Sequence, residues 1–241
     1  MSELVVTHNA GITSCLSVRL HEIVQFRIKK GRWPASVDST AEFKNYWAKP
    51  KTPIDARLLR AILPECPDFP LPVFDCNHQY LDYFRLDPRI FPVAAHFCHP
   101  SAEVEQVSAE VAGRMADRTV VHYRGNDKVK ERPRVSYEVA LEAAEIVGGP
   151  YWVLTDELEF LEAFYTAFPN SDHLECLPAI KRNDSASARG GTPEDRPLFA
   201  VRFLAALYAQ RHAKKMVVTT GNTSLWAVLW RGHARGVWQL R

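Results

Sequence analysis

The 241-residue chain is poor in the features that mark several protein classes. Met1–Asn9 has no basic stretch, no long apolar core and no small-residue cleavage site, so no secretory leader is expected. No run approaches the roughly 20 apolar residues that span a bilayer. The five cysteines, Cys15, Cys66, Cys76, Cys98 and Cys176, are odd in number and scattered, which argues against a disulfide framework. These absences predict a cytoplasmic protein with no membrane span. Net charge is only +2, and the basic residues form no patch interleaved with aromatics, so nucleic acid is not an expected partner. No Asp-x-Asp pair stands at a predicted strand end, and His96, Cys98 and His99 lack a second ligand pair at metal-site spacing. No metal is expected. There is no Asp or Glu from Arg196 to the C-terminus.

What is present reads as alternating strands and helices. Leu4–Thr7 is a short strand, followed by a Gly11 turn and a helix with Leu16, Leu20, Ile23 and Val24 on one face, stopped at Gly31. Residues 34–100 are rich in Pro and aromatics, and only short helices and loops are expected there. Ser101 caps a helix carrying Val104, Val107, Val111 and Met115. Thr119–Tyr123 is a β-branched strand, Ser136 caps the next helix, and Tyr151–Leu154 is a strand followed by a helix from about Glu157 to Phe168. A short strand is expected near 173–177, and residues 181–197 read as a polar loop suited to a lid. A helix over 198–210, a strand over 216–219 and a helix over 223–230 complete the alternation. The six tryptophans read as core. This order predicts a parallel sheet with helices on both faces, whose ligands bind at the carboxyl ends of the strands.

Three segments fall at such ends: His122–Lys128, Thr155–Asp156 and Thr219–Ser224. In the first, His122 and Arg124 share a strand face, Gly125 permits a sharp turn, and Asp127 and Lys128 follow. A guanidinium grips a pyrophosphate with two parallel hydrogen bonds, and an ammonium adds a compact charge. A solvated turn with ion pairs has the same composition.

His122-x-Arg124-x-x-Asp127-Lys128 resembles the motif of the α1,6-fucosyltransferase and nodulation-fucosyltransferase group, related to protein O-fucosyltransferases. Gly11–Ser17, Trp152–Asp156 and Val217–Trp226 are similar to three more segments of that group, in the same order. The resemblance implies an α/β fold with two Rossmann-like lobes of the GT-B type. The lobe over 1–115 would be a reduced acceptor side, and 116–241 would bind the nucleotide-sugar donor. It implies an inverting, metal-independent glycosyltransferase that moves fucose or a similar deoxysugar from a GDP-sugar to a glycan or other hydroxyl acceptor, with no cofactor besides that donor. Arg124 would act at the phosphates, Lys128 near the phosphates or the acceptor, held by Asp127 or Asp156, and the general base would be Glu131 or Asp156. Gly11, Ser14, His122, Arg124, Asp127, Thr220, Asn222, Thr223 and Ser224 would bind the donor. The group tends to carry an acidic guanine reader where Ala205 stands here. That departure leaves a second reading, an inactive relative that binds nucleotide sugar or glycan.

Overall fold

The computed structural model describes residues 3–46, 54–62, 66–125, 133–173 and 195–241. The first strand, β1 (Glu3–Val5), leads through the Gly11 turn into α1 (Ile12–Lys30), and β2 (Ser36–Asp38) returns to pair in parallel with β1. α1 stops where its sequence says it should. Gly31 takes a left-handed φ of 70° and donates its N–H to Arg27 O at 2.9 Å, and Arg27, Lys29 and Lys30 complement the carboxyl end of the dipole. Short helices follow, as expected for 34–100: α2 (Asp55–Leu58), 3₁₀ turns over Cys76–Tyr80 and Tyr83–Arg85, and α3 (Ile90–Phe97).

The second half alternates. After α4 (Ala102–Met115) come β3 (Thr119–Tyr123), α5 (Tyr137–Val147), β4 (Tyr151–Thr155), α6 (Leu158–Ala167) and β5 (Asp172–His173). Then come α7 (Arg196–Ala209), β6 (Lys215–Thr219), α8 (Asn222–Arg231) and β7 (Val237–Leu240). Both predicted serine caps form. Ser101 Oγ accepts the Val104 N–H at 3.2 Å and Ser136 Oγ accepts the Val139 N–H at 3.3 Å, contacts that contribute about 1 kcal/mol each.

The five strands are ordered β5-β4-β3-β6-β7, all parallel. Side-chain alternation divides the core into two layers. Val120, Trp152, Leu154, Met216 and Val218 pack beneath α1, α4, α7 and α8, in one apolar cluster that draws residues from both sides of position 115. Val121, Tyr123, Val153 and Val217 pack against Ala140, Ala144, Phe160 and Phe164 of α5 and α6. Strand order reverses between β3 and β6, and in open parallel sheets ligands bind at the carboxyl ends of the strands beside such a switch point.

Trp33, Trp152, Trp226 and Trp230 are core residues as expected, but Trp238 is half exposed, because β7 is the sheet's edge strand. Trp47 and residues 174–194, which include most of the proposed lid, lie outside the described residues. No helix among the described residues is long and apolar enough to cross a membrane.

Candidate functional site

Arg124 is the first residue beyond β3 and continues the alternation that places His122 and Arg124 on one face. Its backbone is fixed by the neighbouring strand. The Arg124 N–H donates to Thr219 Oγ1 at 3.0 Å, and that hydroxyl in turn donates to His122 O at 3.4 Å. Its guanidinium is held from two sides. Nη1 donates to Thr223 Oγ1 at 3.1 Å, and Nε lies 3.6 Å from Asp156 Oδ2. The other Asp156 oxygen, Oδ1, accepts the Gly125 N–H at 3.3 Å. Ends of β3, β4 and β6 thus converge on one partly exposed cation.

Two helix N-termini meet beside it. α1 begins after Gly11 and α8 after Gly221, and neither has a side-chain cap or an acidic residue in its first turn. The first N–H groups of a helix have no intrahelical acceptor, and the aligned peptide dipoles place partial positive charge there. Thr13 Oγ1 and Thr223 Oγ1 are 3.4 Å apart, so the two first turns touch. Further along, Ser17 Oγ donates to Asn222 Oδ1 at 2.7 Å and accepts the Trp226 Nε1–H at 2.9 Å, which clamps α1 to α8. A guanidinium beside two uncapped N-termini is a cradle for an anion with several oxygens.

The remaining expected contacts are distributed unevenly. Gly11 faces open space, and Ser14 Oγ is paired with His8 Nε2 at 3.1 Å. The hydroxyls of Thr220 and Ser224 serve the protein itself: Thr220 Oγ1 donates to Leu240 O at 2.8 Å, and Ser224 Oγ donates to Thr219 O at 2.6 Å. Asp127, Lys128 and Glu131 lie outside the described residues. Ala205 is fully buried in the apolar cluster on α7. His96 packs edge-on against Phe69 and Phe97, and Cys98 is buried with its carbonyl accepting the Trp230 Nε1–H at 3.1 Å. Among the described residues, no group of three or more His, Cys, Asp and Glu side chains is arranged to hold a metal.

One acidic residue at the site escaped the sequence reading. Glu157, read there only as a helix start, is fully buried. Its Oε2 accepts the Tyr137 hydroxyl at 2.7 Å and its Oε1 lies 3.3 Å from Arg134 Nη2, which also donates to Gly125 O at 3.3 Å. A Cβ on Gly125 would sit 2.9 Å from Glu157 Oε1 and 2.9 Å from Tyr123 Cε1, so any larger residue would displace the Glu157 carboxylate or the Tyr123 ring. The chemistry-bearing Arg124 therefore rests on a buried polar scaffold on the opposite face of the sheet.

His122 is buried, and its Nδ1 has no hydrogen-bond partner among the described residues. Burial first, and the Arg124 guanidinium second, push its imidazole down to about 3 from 6.5. The ring is neutral at pH 7 in the folded protein. Between these two values the unfolded chain binds a proton that the folded protein refuses, so this group's contribution to stability is full above pH ~6.5 and is lost progressively as pH falls toward 3. The drop in unfolding midpoint from pH 7 to pH 4.5 is expected to shrink in His122→Leu. An unchanged drop would contradict a buried neutral imidazole.

No family model matches this chain, and no curated protein matches it significantly in sequence. Solved structures do. NodZ α-1,6-fucosyltransferase, in a crystal soaked with GDP-fucose, is similar over 95% of this chain and 92% of its own, with 12% identity and a TM-score of 0.52. POFUT1 in complex with GDP-fucose is similar over 64% of this chain and 48% of its own, with 14% identity and a TM-score of 0.37. The fold is thus fucosyltransferase-like, α/β with a Rossmann-like parallel sheet of the GT-B type.

Proposed function

We propose that this protein is an inverting, metal-independent glycosyltransferase that moves fucose, or a similar deoxysugar, from a GDP-sugar to a hydroxyl acceptor. The observation that carries this reading is Arg124, held between Asp156 and Thr223 where two uncapped helix N-termini meet at the sheet's switch point. The acceptor oxygen attacks the anomeric carbon, the bond from that carbon to the β-phosphate oxygen breaks, and negative charge grows on the departing GDP. Fixed N–H donors aimed at that charge lower the barrier without reorganising during the reaction. Arg124 supplies the strongest of them, and the first-turn amides of α8 and α1 supply the rest.

Asp156 has one oxygen engaged by Gly125 and the other by Arg124, which makes it the residue that orients the guanidinium. The acceptor proton then goes to Glu131. Thr223 and Asn222 shape the phosphate side of the cradle, and the charge of Lys128 serves the phosphates or the acceptor. His122 serves as a neutral hydrogen-bonding ring. The lack of any Asp or Glu side chain from Arg196 to Arg241, where a guanine reader is expected, favours a second reading, in which the chain binds a nucleotide sugar or glycan and does not turn it over.

Turnover of GDP-fucose with a panel of glycan acceptors, in excess EDTA, tests the proposal. GDP release and a fucosylated product that persist in EDTA are expected. Loss of activity restored by Mg²⁺ or Mn²⁺ would overturn the metal-free mechanism. Binding without release across GDP- and UDP-sugars would establish the binding-module reading instead.

A further inference from the structure

The turn that opens α8 is held from outside the second half of the chain. Tyr83, in the second of the 3₁₀ turns, is buried. Its hydroxyl accepts the Gly221 N–H at 3.1 Å and lies 2.8 Å from Ser224 Oγ. The Tyr83 hydroxyl also lies 3.0 Å from Gly221 O, and Ser224 Oγ lies 2.6 Å from Thr219 O and 3.0 Å from Gly221 O. A hydrogen-bond network thus joins the Gly221 amide and carbonyl, Tyr83, Ser224 and the last carbonyl of β6.

Tyr83 is itself anchored to β7. Gln239 Oε1 accepts the Tyr83 backbone N–H at 2.9 Å, and Gln239 Nε2 donates to Leu81 O at 2.8 Å and to Thr220 Oγ1 at 3.1 Å. Asp82 adds an ion pair with Arg241 at 2.7 Å. Every residue of this clamp bonds the 219–224 turn or the chain that carries Tyr83.

We propose that Tyr83, braced by Gln239, is the positioning residue of the phosphate turn. It fixes Gly221 so that the first-turn amides of α8 and the Thr223 hydroxyl stand ready for the diphosphate before it arrives. The inference rests on the functional reading above and assigns to the turn a residue from outside the second half of the chain. Ordering the turn in advance spares the ligand that entropic cost, so the effect belongs in diphosphate affinity.

The test is calorimetric titration of GDP and of inorganic pyrophosphate into wild type, Tyr83→Phe and Gln239→Met, well below each protein's unfolding midpoint. Tyr83→Phe is expected to weaken both ligands about tenfold, and Gln239→Met about threefold, shifts ordinary for one or two buried hydrogen bonds. In turnover, donor KM should rise in step while acceptor KM stays put. A merely structural role would lower the unfolding midpoint and leave both affinities at the wild-type value, and that result would overturn the inference. If Tyr83→Phe does not fold, unchanged affinities in Gln239→Met would overturn it equally. Wild type that binds neither GDP nor pyrophosphate would sink the functional reading itself, a failure distinct from equal affinities in wild type and variants.

Discussion

Arg124→Ala is expected to lower turnover of the donor by about 100- to 1,000-fold, the loss seen when one preorganised donor to a developing negative charge is removed. The side chain is partly exposed, and its removal leaves Asp156 still bonded to Gly125, so the unfolding midpoint should move little. Arg124→Lys should not rescue activity. The guanidinium fork reaches Thr223 through Nη1 and Asp156 through Nε. A single ammonium cannot make those contacts and grip two phosphate oxygens together. Initial rates with GDP-fucose decide the matter. An Arg124→Lys variant near wild-type activity would contradict the assigned role.

The largest stability effect should come from a residue that touches no ligand. Arg19 of α1 and Glu42, in the turn after β2, form an ion pair at 3.0 Å with side chains only 3% and 0% exposed. The Arg19 Nε also donates to Phe97 O at 3.2 Å. Glu42→Ala leaves the guanidinium buried with its charge uncompensated, and should cost about 3–5 kcal/mol of unfolding free energy. Arg19→Met combined with Glu42→Leu removes both charges and should recover most of that loss, because the desolvation cost disappears with the attraction. Urea denaturation of the single and double variants measures both. A single variant within about 1 kcal/mol of wild type, or a double variant no better than the single, would contradict this. The pair matters to the site because it ties down the helix whose first turn contributes Thr13.

The parts of the fold that sequence revealed are those where local preference and tertiary structure agree. Thr119–Tyr123 is β-branched and apolar, and it forms β3 with those same bounds. Gly31, Ser101 and Ser136 end or begin helices where their own chemistry favours it. β2 and β7 were missed for a physical reason: strands of three and four residues carry too few alternations to show a period. The segment around Tyr83 has no periodicity at all, and its order comes from partners such as Gly221, 138 residues away.

Site residues divide in the same way. Arg124 and Asp156 stood out because charged groups at strand ends are readable from spacing. Glu157 did not, since nothing local separates a buried carboxylate from a solvated one. Thr220 and Ser224 look like free hydroxyls in sequence, yet their contacts are to Leu240 O, Thr219 O and Tyr83. Ala205 explains itself only in three dimensions, because α7 is buried on nearly all sides and a carboxylate there would lie in the apolar core.

The central claim, that the cradle around Arg124 holds a nucleoside diphosphate, is tested most directly by calorimetric titration of wild type with GDP, UDP and ADP. The diphosphate grip is common to all three ligands, so all should bind. Guanine needs an acceptor for its N1–H and amino group, and from Arg196 to Arg241 there is no Asp or Glu side chain to provide one. A site without that partner discriminates weakly. GDP should therefore bind best, but only about tenfold better than UDP or ADP, a difference of about 1.4 kcal/mol. Absence of binding by all three at millimolar concentration would contradict the account.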